Sequence, residues 1–281
     1  MINNFNNGPW LRSCVDSVIA QSRHPDEIIV YDDGSTDDSI SILRDYGDRI
    51  QVIEGIHDGG ISAIESQARA VHAAFVASSA DHLYLMDGDD AFLAEKIACY
   101  EKAWAKNPEA VLIQAPTVLI DAAGNVQRDG YEDLKHPADG DFLAATYRTQ
   151  DTDLYYSTSA LAFSRTFLEQ CLPMDFSDGI ELAIDSRLSS VAPLHGHVVS
   201  LEESLTLWRQ HPRSVSHQGD QRSPLAGTIR RNHYFNTYVQ GIKRRRIHLW
   251  LNLRYYRQLG RRILPGWLTE PFAQSPTGKR P

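Results

Sequence analysis

The sequence predicts an α/β fold in which a mostly parallel, doubly wound sheet is flanked by helices and followed by a basic, helical C-terminal extension. Three observations predict it. Short apolar runs alternate with amphipathic stretches as far as residue 215, as in successive βαβ units. Two aspartate clusters, Asp32/Asp33 and Asp87/Asp89/Asp90, directly follow apolar runs, where such sheets bind ligands. Finally, the charge changes sign near residue 220.

The individual elements follow from hydrophobic periodicity. In "WLRSCVDSVIAQ" the apolar residues Leu11, Val15, Val18 and Ile19 fall on one face, which predicts a helix. Further helices are predicted at "SISILRDYG", "ISAIESQARAVHAAFVASSA", "AFLAEKIACYEKAWAKNP", residues 139–149, "RTFLEQCL" and "GIELAIDSRLSSVA". Strands are predicted at "IIVY", "RIQVIEG", "HLYLM", "AVLIQAPTVLID", "SALAFS", "HVVSL" and "LTLWRQH".

The charge distribution divides the chain into two parts. Residues 221–281 hold 13 Lys and Arg against one acid, Glu270, a net charge of +12, which leaves −20 for residues 1–220. We therefore expect a catalytic or binding domain over 1–215 and a basic extension over 216–281. The acidic body argues against general nucleic-acid binding.

Three features favour a cytoplasmic location. The cysteines Cys14, Cys99 and Cys171 are scattered and odd in number, which fits a reducing compartment. The N-terminal "MINNFNNGPW" lacks a basic region followed by an apolar one, so no signal peptide is expected. No apolar run reaches 18 residues, so no membrane span is expected either.

The segment "LYLMDGDD" ends an apolar run on three carboxylates, Asp87, Asp89 and Asp90. Their repulsion costs stability unless a cation or strong donors lie among them. A solvated loop with an Asp helix cap is one interpretation. A calcium loop does not fit the spacing, and a haloacid dehalogenase-type phosphatase would carry Thr or Val where Phe92 stands.

Taken together, four segments resemble family 2 glycosyltransferases of the GT-A fold. They are "NNGPWLRSCVDSVIAQSRHPDEIIVYDDGSTDDS", "LYLMDGDD", "AIDSRL" and "LTLWRQHPRSVS", which occur in the family's order across residues 2–216. The resemblance implies a GT-A-type sheet and an inverting transfer from a nucleotide-diphosphate sugar, with UDP favoured as the nucleotide. A glycan or lipid-linked hydroxyl would be the acceptor.

The resemblance also assigns roles. It implies a Mn²⁺ or Mg²⁺ held by Asp89, Asp90 and His211, because the departing diphosphate needs a Lewis acid. Nucleotide-sugar contacts are implied for a second set: Phe5, Asn6, Asp32, Asp33, Gln67, Asp87 and Asp89. Asp185, 13 residues before "VV", would be the general base. Three of these assignments also have a structural interpretation. It is a surface histidine near a turn for His211, a plain strand-to-helix turn for Asp32/Asp33, and an exposed helix Asp paired with Arg187 or another cation for Asp185.

The sequence also departs from the family pattern. Only Met1 and Ile2 precede "NNFNN", so either the start lies downstream of the family's or the first strand is truncated. Glu65 and Ser66 stand where many relatives carry Gly-Gly before Gln67, and Ile184 replaces the Glu that commonly precedes the base. These departures favour a rival hypothesis, a catalytically inactive relative that binds nucleotide or glycan. A nucleotidyltransferase is a second rival, but its Gly-rich phosphate loop is missing from "NNFNNGPWLR".

The basic extension has its own alternatives. "GIKRRRIHLWLNLRYYRQLGRRIL" interleaves aromatic and aliphatic residues with arginines, as in a helix lying on anionic headgroups. Peripheral attachment to the inner face of the plasma membrane would bring the enzyme to a lipid-linked acceptor. The competing expectation is a helix packed on the acidic body. RNA binding has no supporting motif.

Overall fold

The structure is a computed structural model that describes residues 1–130, 134, 136, 140–149, 154–214 and 224–243. The first third of the chain alternates strands and helices, as predicted. Its elements are β1 (Ile2–Asn4), α1 (Gly8–Ile19), β2 (Ile29–Asp32), α2 (Ser39–Arg44), β3 (Gln51–Glu54), α3 (Ala63–Ala77), β4 (His82–Tyr84) and β5 (Met86–Asp87).

The rest of the described chain is less regular. It comprises β6 (Ala91–Phe92), α4 (Lys96–Lys106), β7 (Ala110–Gln114), β8 (Thr117–Ile120), β9 (Val126–Asp129), α5 (Phe142–Thr149), β10 (Leu161–Ser164), α6 (Arg165–Cys171), α7 (Ile184–Val191), β11 (His197–Ser200), β12 (Thr206–Arg209) and α8 (Pro224–Lys243). One turn of 3₁₀ helix at Thr158–Ala160 leads into β10. The helix predicted from Gly179 begins only at Ile184, because the buried Arg187 donates hydrogen bonds to the carbonyls of Ile180 and Leu182 and holds that segment irregular.

The central sheet is built around β1. Strands β3, β2, β1 and β5 are parallel neighbours in that order, with Ile2 opposite both Val30 and Met86. Strand β4 pairs with β10, which pairs with β7, which pairs with β11. Because β4 and β5 are separated by Leu85 alone, the two groups of strands join along residues 82–87. Strand β10 runs antiparallel to both neighbours, a departure from the predicted parallel order.

Helices cover both faces of this sheet. The alternation of strand residues shows it, since Leu85 and Leu112 belong to one core cluster and Met86 and Ile113 lie in clusters on the other side. Helices α3, α6 and α7 cover the first face, and α1 and α4 cover the second. A doubly wound α/β architecture is therefore confirmed.

A second, smaller sheet closes the carboxyl edge of the first. Its order is β6-β12-β8-β9. Strands β7 and β8 are separated only by Ala115 and Pro116, so one apolar run supplies a strand to each sheet. Strand β12 runs beside β6, which directly follows the aspartate cluster, and thereby carries the 209–214 segment to the site.

Helix α8 packs on the body through Phe235 and Val239, both buried in the core cluster that includes α7. Tyr234, half-buried on α8, lies 4.7 Å from the guanidinium carbon of Arg187. The part of the basic extension at 224–243 therefore contacts the body, whereas the segment at 241–264, to which the membrane and packed-helix hypotheses apply, lies outside the described residues from 244 onward. Residues 215–223 and 244–281 lie outside the described residues, so the boundary at 215/216 stays a prediction. Within the described part of the chain, no helix combines the length and apolar character needed to cross a membrane.

Candidate active site

The turn after β2 forms one end of the site. Asp32, fully buried, accepts hydrogen bonds from Asn4 Nδ2 at 2.6 Å, Ser35 N at 2.8 Å and Ser35 Oγ at 2.7 Å. Asn6, with a positive φ of 56°, accepts the backbone N–H of Thr36 at 2.8 Å. These local bonds fix the turn against the end of β1.

Asp33 is bound by side chains from two other segments. Its Oδ2 lies 2.7 Å from Nδ1 of His57, in the loop after β3, and accepts the hydroxyl of Ser66 on α3 at 2.5 Å. The ring of Phe5, 40% exposed, stacks on His57 with centroids 4.2 Å apart and planes inclined by 14°. The predicted nucleotide residues Phe5, Asn6, Asp32 and Asp33 thus surround one turn, and His57 joins them.

The end of β5 forms the opposite half of the site. Asp87 accepts a hydrogen bond from Gln67 Nε2 at 2.8 Å, and its backbone N–H donates to Ser159 Oγ at 3.0 Å. Burial, together with the negative charges of Asp89 and Asp185, raises the pKa of Asp87 to about 7. Three of the predicted site carboxylates therefore lie close enough to repel each other.

Asp89 and His211 meet directly. Oδ2 of Asp89 lies 2.9 Å from Nε2 of His211, whose side chain is buried. The imidazole is fixed from behind by Trp10, stacked at a centroid distance of 3.9 Å, and by the backbone N–H of Arg213, which donates to Nδ1 at 3.2 Å. His211 is therefore buried against Asp89 rather than exposed as a surface histidine, and its role as a metal ligand stays a prediction.

Asp90 points into the protein. It is 1% exposed, and its Oδ1 accepts the backbone N–H of Arg209 at 2.8 Å. Its Oδ2 has no hydrogen-bond partner among the described residues. Burial and the charges of Asp89 and Asp87 raise its pKa well above the ordinary carboxyl range. Its assignment as a metal ligand stays a prediction, and its bond to Arg209 already braces the turn against β12.

Asp185 lies in the first turn of α7, half-buried beside the other carboxylates. Its Oδ1 accepts the N–H of Ser186 at 2.5 Å, and its Oδ2 accepts Oγ1 of Thr158 at 3.3 Å. Burial raises its pKa, although these hydrogen bonds oppose the shift. The ion pair with Arg187 considered above does not form, because Arg187 pairs with Asp178 at 3.0 Å.

One supporting residue, Lys96, carries no sequence signal. Lys96 is fully buried and donates to the carbonyl of Ser159 and, at 2.7 Å, to Oγ1 of Thr206. It thereby links α4 to the 158–160 turn, which contacts both Asp87 and Asp185. Burial lowers the pKa of Lys96 well below its usual value, and the charge of Asp90 opposes this. An apolar-face Lys at a helix start is ordinarily exposed, so periodicity alone could not find it.

One known protein family matches this chain. A family model described as Glycosyl transferase family 2 matches residues 1–172. The chain belongs to glycosyl transferase family 2. This confirms the resemblance noted in the sequence and decides against the phosphatase and nucleotidyltransferase alternatives.

A related protein and two solved structures resemble this family 2 chain over most of its length. An uncharacterized glycosyltransferase of Nostoc sp. (strain PCC 7120), alr2836, is 26% identical over 275 residues, which span 92% of this chain and 80% of that protein. Staphylococcus aureus TarS 1–349 in complex with UDP superposes with a TM-score of 0.62 at 12% identity, covering 93% of this chain and 70% of that one. The mannosyltransferase PcManGT of Pyrobaculum calidifontis, in complex with GDP-Man and Mn²⁺, has a TM-score of 0.56 at 15% identity, with coverage of 93% and 68%. These structural likenesses confirm the GT-A fold.

Proposed function

We propose that this family 2 chain is an inverting, metal-dependent glycosyltransferase that moves a sugar from a nucleotide-diphosphate sugar, with UDP as the first candidate nucleotide, to a hydroxyl acceptor. The observation that carries the proposal is the convergence of Asp87, Asp89 and Asp185 at the carboxyl edge of the sheet, opposite the Asp33 turn. Burial raises the pKa values of Asp87 and Asp185, and neighbouring carboxylates raise that of Asp87 as well, and such shifts are typical of catalytic sites.

The donor set at Asp89 and His211 fits a divalent cation when His211 is protonated at Nδ1 rather than Nε2, which gives up the hydrogen bond from the Arg213 N–H. A carboxylate oxygen suits Mg²⁺ and Mn²⁺, and an imidazole beside it favours Mn²⁺. Among the residues that the structure describes, no cluster of three or more His, Cys, Asp or Glu side chains could hold a metal ion. Asp89, Asp90 and His211 are therefore not assembled as the three-ligand set predicted from the sequence, and substrate phosphates would have to supply the further ligands. When bound, the cation would offset the charge of the leaving diphosphate.

Asp185 would act as the general base. In a single displacement the acceptor hydroxyl attacks the anomeric carbon, the bond from that carbon to the diphosphate oxygen breaks, and the hydroxyl proton passes to the carboxylate. A raised pKa makes Asp185 a stronger proton acceptor than an exposed aspartate. Thr158 Oγ1 and the Ser186 N–H orient the carboxylate through hydrogen bonds, and no enzyme nucleophile is needed.

The other half of the site would bind the nucleotide. Phe5 offers an exposed aromatic face, and Asn6 and Asp32 hold the turn that presents Asp33. Gln67 links α3 to Asp87, so its role would be to fix the carboxylate nearest the diphosphate. The structural neighbours support this assignment by analogy, since TarS is seen with UDP and with UDP-GlcNAc, and PcManGT with GDP-Man and Mn²⁺.

The test is donor hydrolysis and transfer by the purified protein with UDP-GlcNAc, UDP-glucose and GDP-mannose, with and without Mn²⁺. We expect Mn²⁺-dependent turnover of at least one donor that is lost in Asp185→Asn, while binding of the nucleotide persists. Binding without turnover under every condition would instead favour an inactive relative. Ile184, which replaces the family's common Glu, is completely buried in the core, and this favours altered acceptor positioning.

The acceptor side of the proposal includes the membrane. Because α8 packs on the body, the basic segment available for anionic headgroups would be residues 244–281, and the enzyme would work at the inner membrane surface on a lipid-linked acceptor. Removing residues 244–281 should then reduce binding to anionic vesicles and leave hydrolysis of a soluble donor intact. Vesicle binding that is unchanged by the truncation would refute the membrane role.

A further inference from the structure

Arg187 is enclosed by the chain segment that precedes α7. The residue is 1% exposed, and each of its five N–H groups donates a hydrogen bond. The acceptors all lie within residues 175–182. They are both carboxylate oxygens of Asp178, at 3.0 and 3.1 Å, and the backbone carbonyls of Asp175, Ile180 and Leu182. The segment therefore takes its irregular path around one guanidinium, and a lysine, with three donors, could not make the same bonds.

Helix α8 contacts this guanidinium from another part of the chain. The ring centroid of Tyr234 lies 4.7 Å from the guanidinium carbon, and that of Phe176, within the segment itself, lies 4.4 Å away. Arg230, one turn earlier on α8, lies 3.8 Å from the carboxylate of Glu181. A cation over an aromatic ring is stabilised most where water is excluded, whereas an exposed ion pair contributes little. Tyr234 is therefore the main link between α8 and the segment.

The position of Asp185 depends on where α7 begins. Its Oδ1 accepts the N–H of Ser186, the next residue, which moves with it. The hydrogen bond from Thr158 Oγ1 ties the carboxylate to another element, but at 3.3 Å it is long. Asp185 follows Leu182 by three residues, and Arg187 holds the Leu182 carbonyl at 3.1 Å. A movement of the segment therefore displaces the carboxylate.

We propose that Arg187 is a positioning residue for Asp185 and that Tyr234 makes α8 part of the same arrangement. Arg187 fixes the segment from which α7 starts, and Tyr234 keeps the guanidinium buried and in place. The part of the basic extension at 224–243 then serves the reaction as well as the stability of the fold. This inference rests on the proposed function and adds how its general base is held.

The test is steady-state transfer kinetics with Mn²⁺ and the donor that wild type uses, at a temperature at which every variant is folded. Tyr234→Leu removes the ring over the guanidinium and should lower kcat about tenfold, a part of the 10²- to 10⁴-fold that a positioned base contributes. The donor KM and the affinity for UDP with Mn²⁺ should stay within about twofold, because the nucleotide half of the site is unchanged. Tyr234→Phe keeps the ring and should retain most of the rate.

Tyr238→Leu is the matched control for loss of packing by α8. Tyr238 is half-buried one turn further along the helix, and its hydroxyl lies 2.8 Å from Nε2 of His195. This variant should unfold at a lower temperature, as Tyr234→Leu should, but keep the wild-type kcat. An equal loss of kcat in both variants would overturn the inference, as would a less stable Tyr234→Leu with an unchanged kcat.

Asp178→Asn tests the contribution of Arg187 itself. The substitution removes the charge of the partner and nearly keeps its size, so it should lower kcat at an unchanged donor KM. A wild-type kcat in this variant would overturn the role of Arg187.

A measurement without turnover separates this inference from the proposed function. The Ser186 amide proton donates to Asp185 Oδ1 at 2.5 Å, and its nuclear magnetic resonance signal should move in Tyr234→Leu and stay in place in Tyr238→Leu. If wild type turns over no donor, the proposed function fails and this signal still decides the positioning role, which an unmoved signal overturns. Turnover that is lost in Asp185→Asn but normal in Tyr234→Leu would overturn the inference alone.

Discussion

The two aspartate clusters look alike in sequence and differ in how the fold satisfies them. Around Asp32 and Asp33 the protein supplies the donors, from Asn4, Ser35, His57 and Ser66. Around Asp87 and Asp89 it brings in another carboxylate, Asp185, and burial adds to the repulsion. The carboxylates of the first cluster accept hydrogen bonds from the protein, whereas those of the second repel each other with no positive charge between them in the described part of the chain.

This difference shows where a cation is needed. Two buried cations lie beside the second cluster. Lys96 donates to Ser159 and Thr206, and the guanidinium of Arg209 donates to the backbone carbonyls of Asp89, Asp121 and Ala122 rather than to a carboxylate. Burial lowers the pKa of Lys96, so its charge is itself costly. The shortage at Asp87, Asp89 and Asp185 is thus left for a ligand to meet, and the predictions below test this contrast.

The largest expected effect is that of Asp185→Asn. Loss of the base should reduce the transfer rate by about 10²- to 10⁴-fold. Burial raises the pKa of Asp185, so the folded protein binds this proton more tightly than the unfolded chain, and stability falls as pH rises through the interval between the two pKa values. At neutral pH the variant should therefore unfold at a higher temperature than wild type.

Calorimetry and a transfer assay measure both effects, with the exposed Asp48→Asn as control. The acidic limb of the wild-type rate profile should lie above the ordinary aspartate pKa of about 3.9. A variant that loses stability along with activity would contradict a desolvated base.

The second effect is stabilisation by metal and nucleotide. Mn²⁺ with UDP at about a hundred times the dissociation constant should add about 2.7 kcal/mol, an increase of roughly 5–10 °C in Tm. Asp89→Asn and His211→Ala should each remove the Mn²⁺-dependent part of that shift. An undiminished shift in both variants would place the metal elsewhere.

How much of the fold and of the site can be predicted from the sequence depends on how far apart in the chain the interacting residues lie. The periodicity of "WLRSCVDSVIAQ" and the aspartate turn are local, and both predicted their elements. The direction of β10 relative to its neighbours could not be predicted from the sequence, because a strand buried on both faces has the same apolar pattern whether it runs parallel or antiparallel. The burial of Lys96 and Arg187 could not be predicted either, because it depends on acceptors from other segments of the chain. These are the Ser159 carbonyl for Lys96 and the Asp178 carboxylate for Arg187.

The third effect concerns the Asp32/Asp33 cluster, whose carboxylates accept hydrogen bonds from the protein. Asp32→Asn places an amide NH₂ against the donors of Asn4 and Ser35, so it should destabilise the protein by about 1–3 kcal/mol. Chemical denaturation measures this loss. Because the change is confined to the Asp33 half of the site, the Mn²⁺-dependent shift should persist. Full stability with weakened UDP binding would instead support the direct nucleotide contact predicted for Asp32.

The smallest effect concerns Trp10, which stacks on His211 and donates its indole N–H to the carbonyl of Ala122 at 2.9 Å. An aromatic pair contributes about 0.5–1.5 kcal/mol beyond buried area, so Trp10→Leu should weaken Mn²⁺ binding by about two- to tenfold. Trp10→Phe keeps the stacked ring and should retain most of the affinity. Titration of the free Mn²⁺ signal by electron paramagnetic resonance measures both. If Trp10→Leu lowered stability but left Mn²⁺ affinity intact, the indole would serve the fold, and His211 would need no help to face Asp89.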